Sequence, residues 1–496
     1  MPTAIVIGAG LSGIGVAARL AARGFRVTVL ERLSAPGGRC GRLVSGGYSF
    51  DTGPTLYLMP PVFEETFAAL GEKVTDHLKL LRVDPTYRVH FTSGGALDIT
   101  SDMVRMREQM QSIEPGSFAR LLQFLAAGDV FLETSLERFV GRNFLTLLDY
   151  FSPANLPLMF RLKALQKHFP FVASHFRDPR LRAAFSFQNM YLGLSPYSAM
   201  ATYALLQFSE IAEGVWFPEG GIYRVVEALA AIARSLGVRF EFDTPVSRIL
   251  VSGSSAQGVV TQAGDTFHAD LVVATADLPY VYANLLPDDG SAARLAAKQY
   301  TSSAIMFYWG LKGERTPALL HHNVFLSEHR YRESFDRIFR EHSLPDEPSF
   351  YVAAPSRSDD ATAPPGCDAL TVLVPVGHLD SRAGQDWPAM QARAREAVLS
   401  GLARVGAPGI DQRIDFEATM TPESYERELN LVRGSAFGLS HNFLQVGYLR
   451  PHNRHGRFRN LYFAGASTHP GTGLPLVLLS ARLVTERILR DLGLAP

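Results

Sequence analysis

Apolar residues along this chain recur with two different periods, and the places where one period gives way to the other divide it into strands and helices. Ala4-Ile5-Val6-Ile7 is an uninterrupted apolar run, the pattern of a strand buried on both faces. Gly8-Ala9-Gly10-Leu11-Ser12-Gly13 then forms a tight turn, and residues 14–23 carry Val16, Ala17, Leu20 and Ala21 on one helical stripe. Gly24 ends that helix as a C′ glycine does. Residues 25–30 are a second apolar strand with Glu31 at its end, which completes a strand–helix–strand unit.

The same theme returns twice. After Gly220-Gly221, the residues Val225, Val226, Leu229, Ala230 and Ile232 predict a helix ended by Gly237. Strands follow at 238–242, 246–251 and 271–274. Near the C-terminus, residues 460–464 read as a strand, 465–475 as a glycine- and proline-rich loop, and 476–492 as a helix. One discontinuous domain is therefore expected from residues 1–94, 206–284 and 441–496. Residues 95–205 predict a helical insert rich in Phe, Leu and Arg, and 285–440 a mixed α+β domain. The Pro/Asp/Ala-rich stretch 356–366 reads as a surface loop.

Composition narrows the possible chemistry. The 496 residues suffice for a large buried core, and 47% hydrophobic against 19% charged residues is the balance of an ordered protein. With 48 basic and 48 acidic residues the net charge is zero, so a nucleic-acid partner is not expected. Two distant cysteines, Cys40 and Cys367, exclude a disulfide scaffold and suggest a reducing compartment. No Cys/His group has zinc-type spacing, so no metal is expected. Neither a secretory signal nor an apolar run of about 18 residues is present, so no spanning helix is expected.

The first turn binds a dinucleotide by its spacing. Gly8 allows the turn, Gly10 lets the backbone approach a pyrophosphate, and Gly13 lets helix and strand pack closely. The helix N-terminus supplies free N–H groups to the phosphates, and Glu31 suits ribose hydroxyls while repelling a 2′-phosphate. Pro36-Gly37-Gly38-Arg39 adds an arginine within reach of a diphosphate, and Tyr48-Ser49-Phe50-Asp51-Thr52-Gly53-Pro54 suits a channel wall. In this setting the Gly-Gly-Arg run points to FAD, as in the amine-oxidase-like flavoproteins.

Over essentially its whole length the chain resembles the phytoene desaturase family in its bacterial and fungal form. Besides the N-terminal unit, the segments that carry the resemblance are FSFQNMYLGLSPY (185–197), GVWFPEGGIYRVVEAL (214–229), ERELNLVRGSAFGL (426–439), RPHNRH (450–455) and LYFAGASTHPGTGLP (461–475). The resemblance implies an α/β protein with a discontinuous Rossmann-type FAD-binding domain, an inserted α+β substrate domain and a helical membrane-associating segment. It implies that Gly8, Ala9, Gly10, Gly13, Glu31, Gly38 and Arg39 hold the ADP half of FAD, with the Val246 backbone at the adenine. Gly465, Ala466, Gly473, Leu474 and Pro475 should then sit at the ribityl chain and flavin ring. No acidic residue follows Gly465, which counts against an amine oxidase or protoporphyrinogen oxidase.

The reaction so implied turns a C–C bond of phytoene into C=C, with hydride passing to flavin N5 and a proton leaving the adjacent carbon. An allylic cation is delocalised, so the site mainly has to orient the chain in a long apolar, aromatic-lined pocket. His469, within the last motif, is a weak candidate for an acid/base role and equally for a hydrogen bond that stabilises the loop. Residues 143–176 interleave Phe144, Leu148, Phe151, Phe160 and Leu165 with Arg161, Lys163 and Lys167. That pattern suits either a packed helix pair or the interface of a bilayer, and the resemblance favours peripheral attachment to the cytoplasmic face of a membrane, with quinone or oxygen as electron acceptor. A C30 diapophytoene-type desaturase, a carotenoid or retinoid isomerase or saturase, and a non-enzymatic prenyl-binding escort protein remain as alternatives.

Overall fold

The computed structural model describes residues 1–495 and places five of the six strands read above in one parallel sheet, the sixth, Val246–Ser252, lying in a separate antiparallel sheet. The strand order of the parallel sheet is Leu461–Phe463, Leu271–Ala274, Thr3–Ile7, Arg26–Leu30 and Arg239–Glu241. Both faces are covered, which is why the runs are continuous rather than alternating. Ala4, Val6, Val27, Val29, Leu271 and Val273 point to the helices Leu11–Ala22, Tyr223–Ser235 and Leu474–Asp491. Ile5, Ile7, Leu30, Val272, Ala274 and Phe463 point the other way, onto a three-stranded antiparallel sheet with Val246, Ile249 and Val259. The period of two along each strand thus separates two cores.

A mixed seven-stranded sheet forms the second body. Its order is Ile414–Met420, Ser303–Lys312, Cys367–Val376, Phe350–Ala353, His322–Leu326, Tyr87–Phe91 and Ala96–Ile99. In its long strand Ile305, Phe307, Trp309 and Leu311 pack in the core beneath the helix Trp387–Arg404, while Ala304, Met306 and Tyr308 face Tyr48 and Phe50. The two strands from 87 to 99 straddle the boundary expected at residue 94. They belong to this sheet because Tyr87–Phe91 pairs in parallel with His322–Leu326 and antiparallel with Ala96–Ile99. The helical region begins after them, at Met103–Ile113 and Ser117–Ser135, and runs on in short helices and 3₁₀ or π turns to Glu213.

Phenylalanine is concentrated in the core of that helical region. Phe124 meets Phe171, Phe176 and Phe185 with ring centroids 5.6, 5.9 and 6.0 Å apart. The stretch 356–366 is less exposed than its composition suggests. Ser356 and Arg357 turn inward to the buried Asp368, whose Oδ1 accepts from Ser356 Oγ at 2.6 Å and Arg357 Nη1 at 2.5 Å. Cys40 and Cys367 are both free thiols.

Candidate active site

The three segments of the parallel-sheet body that carry the glycine motifs converge on one cavity of about 1230 Å³, which continues into the seven-stranded sheet and the helical region. That is larger than the ~300–1,000 Å³ of typical small-molecule sites. At one end the wall is Gly8, Gly10, Leu11, Ser12, Glu31 and Val246. Gly10 caps the first helix without any side-chain cap, so the free N–H groups of its first turn face the cavity. Glu31 Oε2 accepts the Ala9 N–H at 2.6 Å and Oε1 the Leu33 N–H at 2.9 Å. A carboxylate has about four acceptor positions, so this leaves two for hydroxyl donors.

Ala9 and Gly13 do not line the cavity. Gly13 instead presses on the first strand: a Cβ there would run into the Gly8 carbonyl and lie 2.8 Å from Thr275 Oγ1. Gly10 is different, since a Cβ would meet nothing closer than Gly37 O at 4.0 Å. The space beside Gly10 is left open by the lack of a side chain, and the uncapped helix end gives it a polarity that suits the phosphates of FAD.

Midway, Gly38 and Arg39 meet the C-terminal motif. Arg39 is half-buried, donates to Ala436 O at 3.3 Å and lies near Asp277, whose Oδ1 accepts from Ser467 Oγ at 2.5 Å. Burial pushes the Asp277 carboxyl up, against the pull of Arg39. Gly465, Ala466, Gly473, Leu474 and Pro475 all line this part, where Gly473 caps the helix Leu474–Asp491 without a side-chain hydrogen bond. Two helix N-termini therefore face one cavity.

The loop at 465–469 is held from behind by Arg450, a residue whose motif had suggested no role. It is buried and donates to the carbonyls of Thr468 (2.9 Å), Ser440 (2.9 Å), Gln445 (3.0 Å), Leu439 (3.2 Å) and Ala466. Burial pushes its pKa down to about 10, so it remains a cation at neutral pH. His469 is not in the cavity wall. Its Nε2 bonds to Arg142 O at 3.0 Å and burial lowers its pKa to about 4, so a loop-holding role replaces the weak acid/base candidacy.

The far end of the cavity is apolar, lined by Leu136, Val140, Phe187, Leu206, Val324 and Phe335 among others. Its aromatic wall is built more from tyrosine than phenylalanine. Tyr203, Tyr308 and Tyr351 turn their rings to the cavity and tie their hydroxyls back, to His441 O (2.8 Å), Thr52 O (3.0 Å) and Thr55 Oγ1 (2.8 Å). This keeps the polar atoms satisfied and presents the ring faces.

On this geometry the comparisons with known proteins bear directly. The model of the flavin containing amine oxidoreductase family matches residues 11–489. A zeta-carotene-forming phytoene desaturase of Myxococcus xanthus is 48% identical, over 98% of this chain and 93% of its own. A phytoene desaturase of Phycomyces blakesleeanus is 43% identical, over 99% of this chain and 85% of its own. Among solved structures, an oxidoreductase from Methanosarcina mazei covers 98% of this chain and 100% of its own at 18% identity with a TM-score of 0.66, a likeness of fold.

Proposed function

Because the chain belongs to the phytoene desaturase family of flavin-containing amine oxidoreductases, an FAD-dependent oxidoreductase family, we propose that it introduces C=C bonds into phytoene on the way to lycopene or a related polyene. The observation that carries this reading is the single cavity, glycine-walled at one end and apolar at the other. FAD supplies the hydride acceptor, flavin N5. The chain's own residues do the rest. Gly8, Gly10, Glu31, Gly38, Arg39 and Val246 hold the ADP half, with Ala9 and Gly13 behind them. Gly465, Ala466, Gly473, Leu474 and Pro475 hold the flavin end, and the apolar end orients the polyene and excludes water. The domains serving these parts are the discontinuous nucleotide domain, the helical insert and the seven-stranded sheet body.

The test is incubation of FAD-loaded protein with phytoene in liposomes, followed by chromatography of the products. Desaturated C40 products are expected; no product from phytoene but turnover of a C30 analogue would move the assignment to a diapophytoene desaturase. Adding a quinone under anaerobic conditions should restore multiple turnover if quinone takes the electrons, and oxygen alone should do so if it does not.

A lipid surface is the second part of the proposal. Leu148 is 82% and Phe160 74% exposed, and Leu147, Leu156, Leu165 and Leu444 are exposed with them. The chain reaches this patch directly from the cavity-lining turn Leu136–Val140, and Arg161, Lys163 and Lys167 stand exposed within it. Apolar side chains among cations fit a bilayer interface. Among the described residues no helix is long and apolar enough to cross a membrane. The double substitution Leu148→Asp, Phe160→Asp should leave the protein behind when liposomes float; unchanged flotation would refute the attachment.

A further inference from the structure

Desaturation releases a proton as well as a hydride, and one carboxyl group stands behind the apolar wall. Glu210 lies in the π turn Ser209–Glu213, which extends the helix Leu205–Phe208, and it is buried. Its Oε2 accepts from the Tyr87 hydroxyl at 2.5 Å and from Gln188 Nε2 at 3.4 Å. Gln188 is fixed in turn by Gln207, whose Nε2 donates to Gln188 Oε1 at 2.9 Å. Glu210 Oε1 is buried with no hydrogen-bond partner among the described residues.

Tyr191 connects this island to the cavity. It lines the apolar end together with Phe187, Met190 and Leu206, and its phenol interacts with the Glu210 carboxyl. The groups that act on Glu210 are Tyr87, Tyr191 and Gln188, none of them a cation, so burial dominates and pushes its pKa up to about 7. A purely structural carboxyl would have both oxygens satisfied, or would be replaced without loss by an apolar residue. A buried carboxyl with one unpartnered oxygen, in interaction with the phenol of a cavity-lining tyrosine, is the arrangement of a proton acceptor.

We propose that Tyr191 takes the proton from the substrate carbon next to the one that loses hydride, and that Glu210 receives the Tyr191 hydroxyl proton on its open oxygen. This rests on the desaturase reading. The C–H bond breaks, and its electron pair becomes the second bond of the new alkene. The proton ends on the Tyr191 oxygen, and the proton that oxygen carried ends on Glu210 Oε1. The hydride and its two electrons leave by the redox route of the family. Glu210 titrates near neutral pH and returns the proton to water between turnovers. Tyr191 is the catalytic residue in this step, and Glu210 a positioning residue that acts through it.

The experiment compares wild type, Glu210→Gln and Tyr191→Phe as FAD-loaded proteins with phytoene in anaerobic liposomes. Bleaching of the flavin is followed in a single turnover across the neutral pH range. Wild-type bleaching should speed up as pH rises through about 7. Both variants should be at least ~100-fold slower with unchanged flavin content, and Glu210→Gln should lose the pH dependence. Without substrate, the infrared C=O band of a protonated carboxyl should fade in wild type as pH rises through about 7, and be missing in Glu210→Gln. Wild type that bleaches while both variants match its rate and pH profile overturns the proposal alone, as does a missing band. Wild type that bleaches with no carotenoid precursor overturns the desaturase reading and the proposal with it. Should Glu210→Gln not fold, Tyr191→Phe must still show the loss.

Discussion

At the nucleotide end of the cavity much of the lining is glycine backbone, with Gly10 and Gly38 leaving space that side chains would fill. At the other end it is side chain, brought together from residues near 136, 190, 206, 324 and 351. On the proposed reading the first end recognises FAD by peptide N–H groups and a helix terminus, interactions fixed by the local fold. On the same reading the second recognises by shape and exclusion of water, with the hydroxyls of Tyr203, Tyr308 and Tyr351 tied back and Glu210 standing behind the wall. The nucleotide end should therefore fail abruptly when a methyl group is added, and the apolar end by degrees.

Glu210 gives the largest expected effect, because its carboxyl is wholly buried. Its pKa of about 7 in the fold lies above the ordinary carboxyl value of 4.5, so its protonated form is the one the fold favours. The resulting stability is full below about 4.5 and is lost as pH rises through about 7. The magnitude is on the order of 3 kcal/mol at most. Buried His168 and His321 are held down in pKa and act in the opposite direction, so the prediction concerns a difference. Denaturant midpoints of Glu210→Gln and wild type should diverge between those pH values, with the variant the more stable above 7. Parallel pH curves would show the carboxyl to be solvated.

Two methyl groups separate packing from ligand approach at the other end. Gly13→Ala pushes against the Gly8 carbonyl, and neither backbone can yield without moving the first strand. Chemical denaturation of the apoprotein should show a loss of about 1–3 kcal/mol. Gly10→Ala has room in the fold, since Gly37 O is 4.0 Å away. The apoprotein should keep its midpoint while FAD binds roughly tenfold more weakly, about 1.4 kcal/mol. Equal destabilisation by both would erase the distinction between the two glycines.

This contrast also decides what could be read from the sequence. Gly8, Gly10, Gly13, Gly38 and the loop 465–475 announce themselves because their role is set within a few residues of chain. So do the five parallel strands, whose continuous apolar runs reflect burial on both faces. Asp277 gave no such signal, since it matters through Ser467, 190 residues along the chain, and Arg450, though inside a motif, showed no role because the carbonyls from 439 to 468 gather round it only in the folded loops. The strands at 87 and 96 join a sheet whose other members begin at 303. The polar stretch 356–366 looked like surface because composition does not show that Arg357 and Ser356 neutralise a buried Asp368. Glu210 and Tyr191 meet only once helix, π turn and cavity wall are assembled.

Graded failure at the apolar end can be measured at Leu206. Leu206→Trp adds bulk where the wall is made of several movable side chains, so FAD content should be unchanged. Phytoene turnover should fall about fivefold, ~1 kcal/mol, because the polyene is displaced rather than excluded. A shorter C30 substrate should lose less than phytoene. An equal loss for both chain lengths would place Leu206 away from the chain's path.

The smallest effect is expected at His469, although it lies in the same C-terminal motif as the flavin-end residues. Its ring is directed away from the cavity to Arg142 O, and burial keeps it neutral. Its contribution is to join the loop after Gly465 to the start of the exposed apolar segment, where Phe144 packs edge-on against it at 6.0 Å. His469→Asn should therefore lower the melting temperature, since a buried packing contact and a hydrogen bond are weakened. Flavin bleaching by phytoene should stay within about twofold of wild type, under ~0.5 kcal/mol. A tenfold slower variant with intact FAD content would return His469 to the chemistry and place the loop, rather than the apolar wall, at the proton.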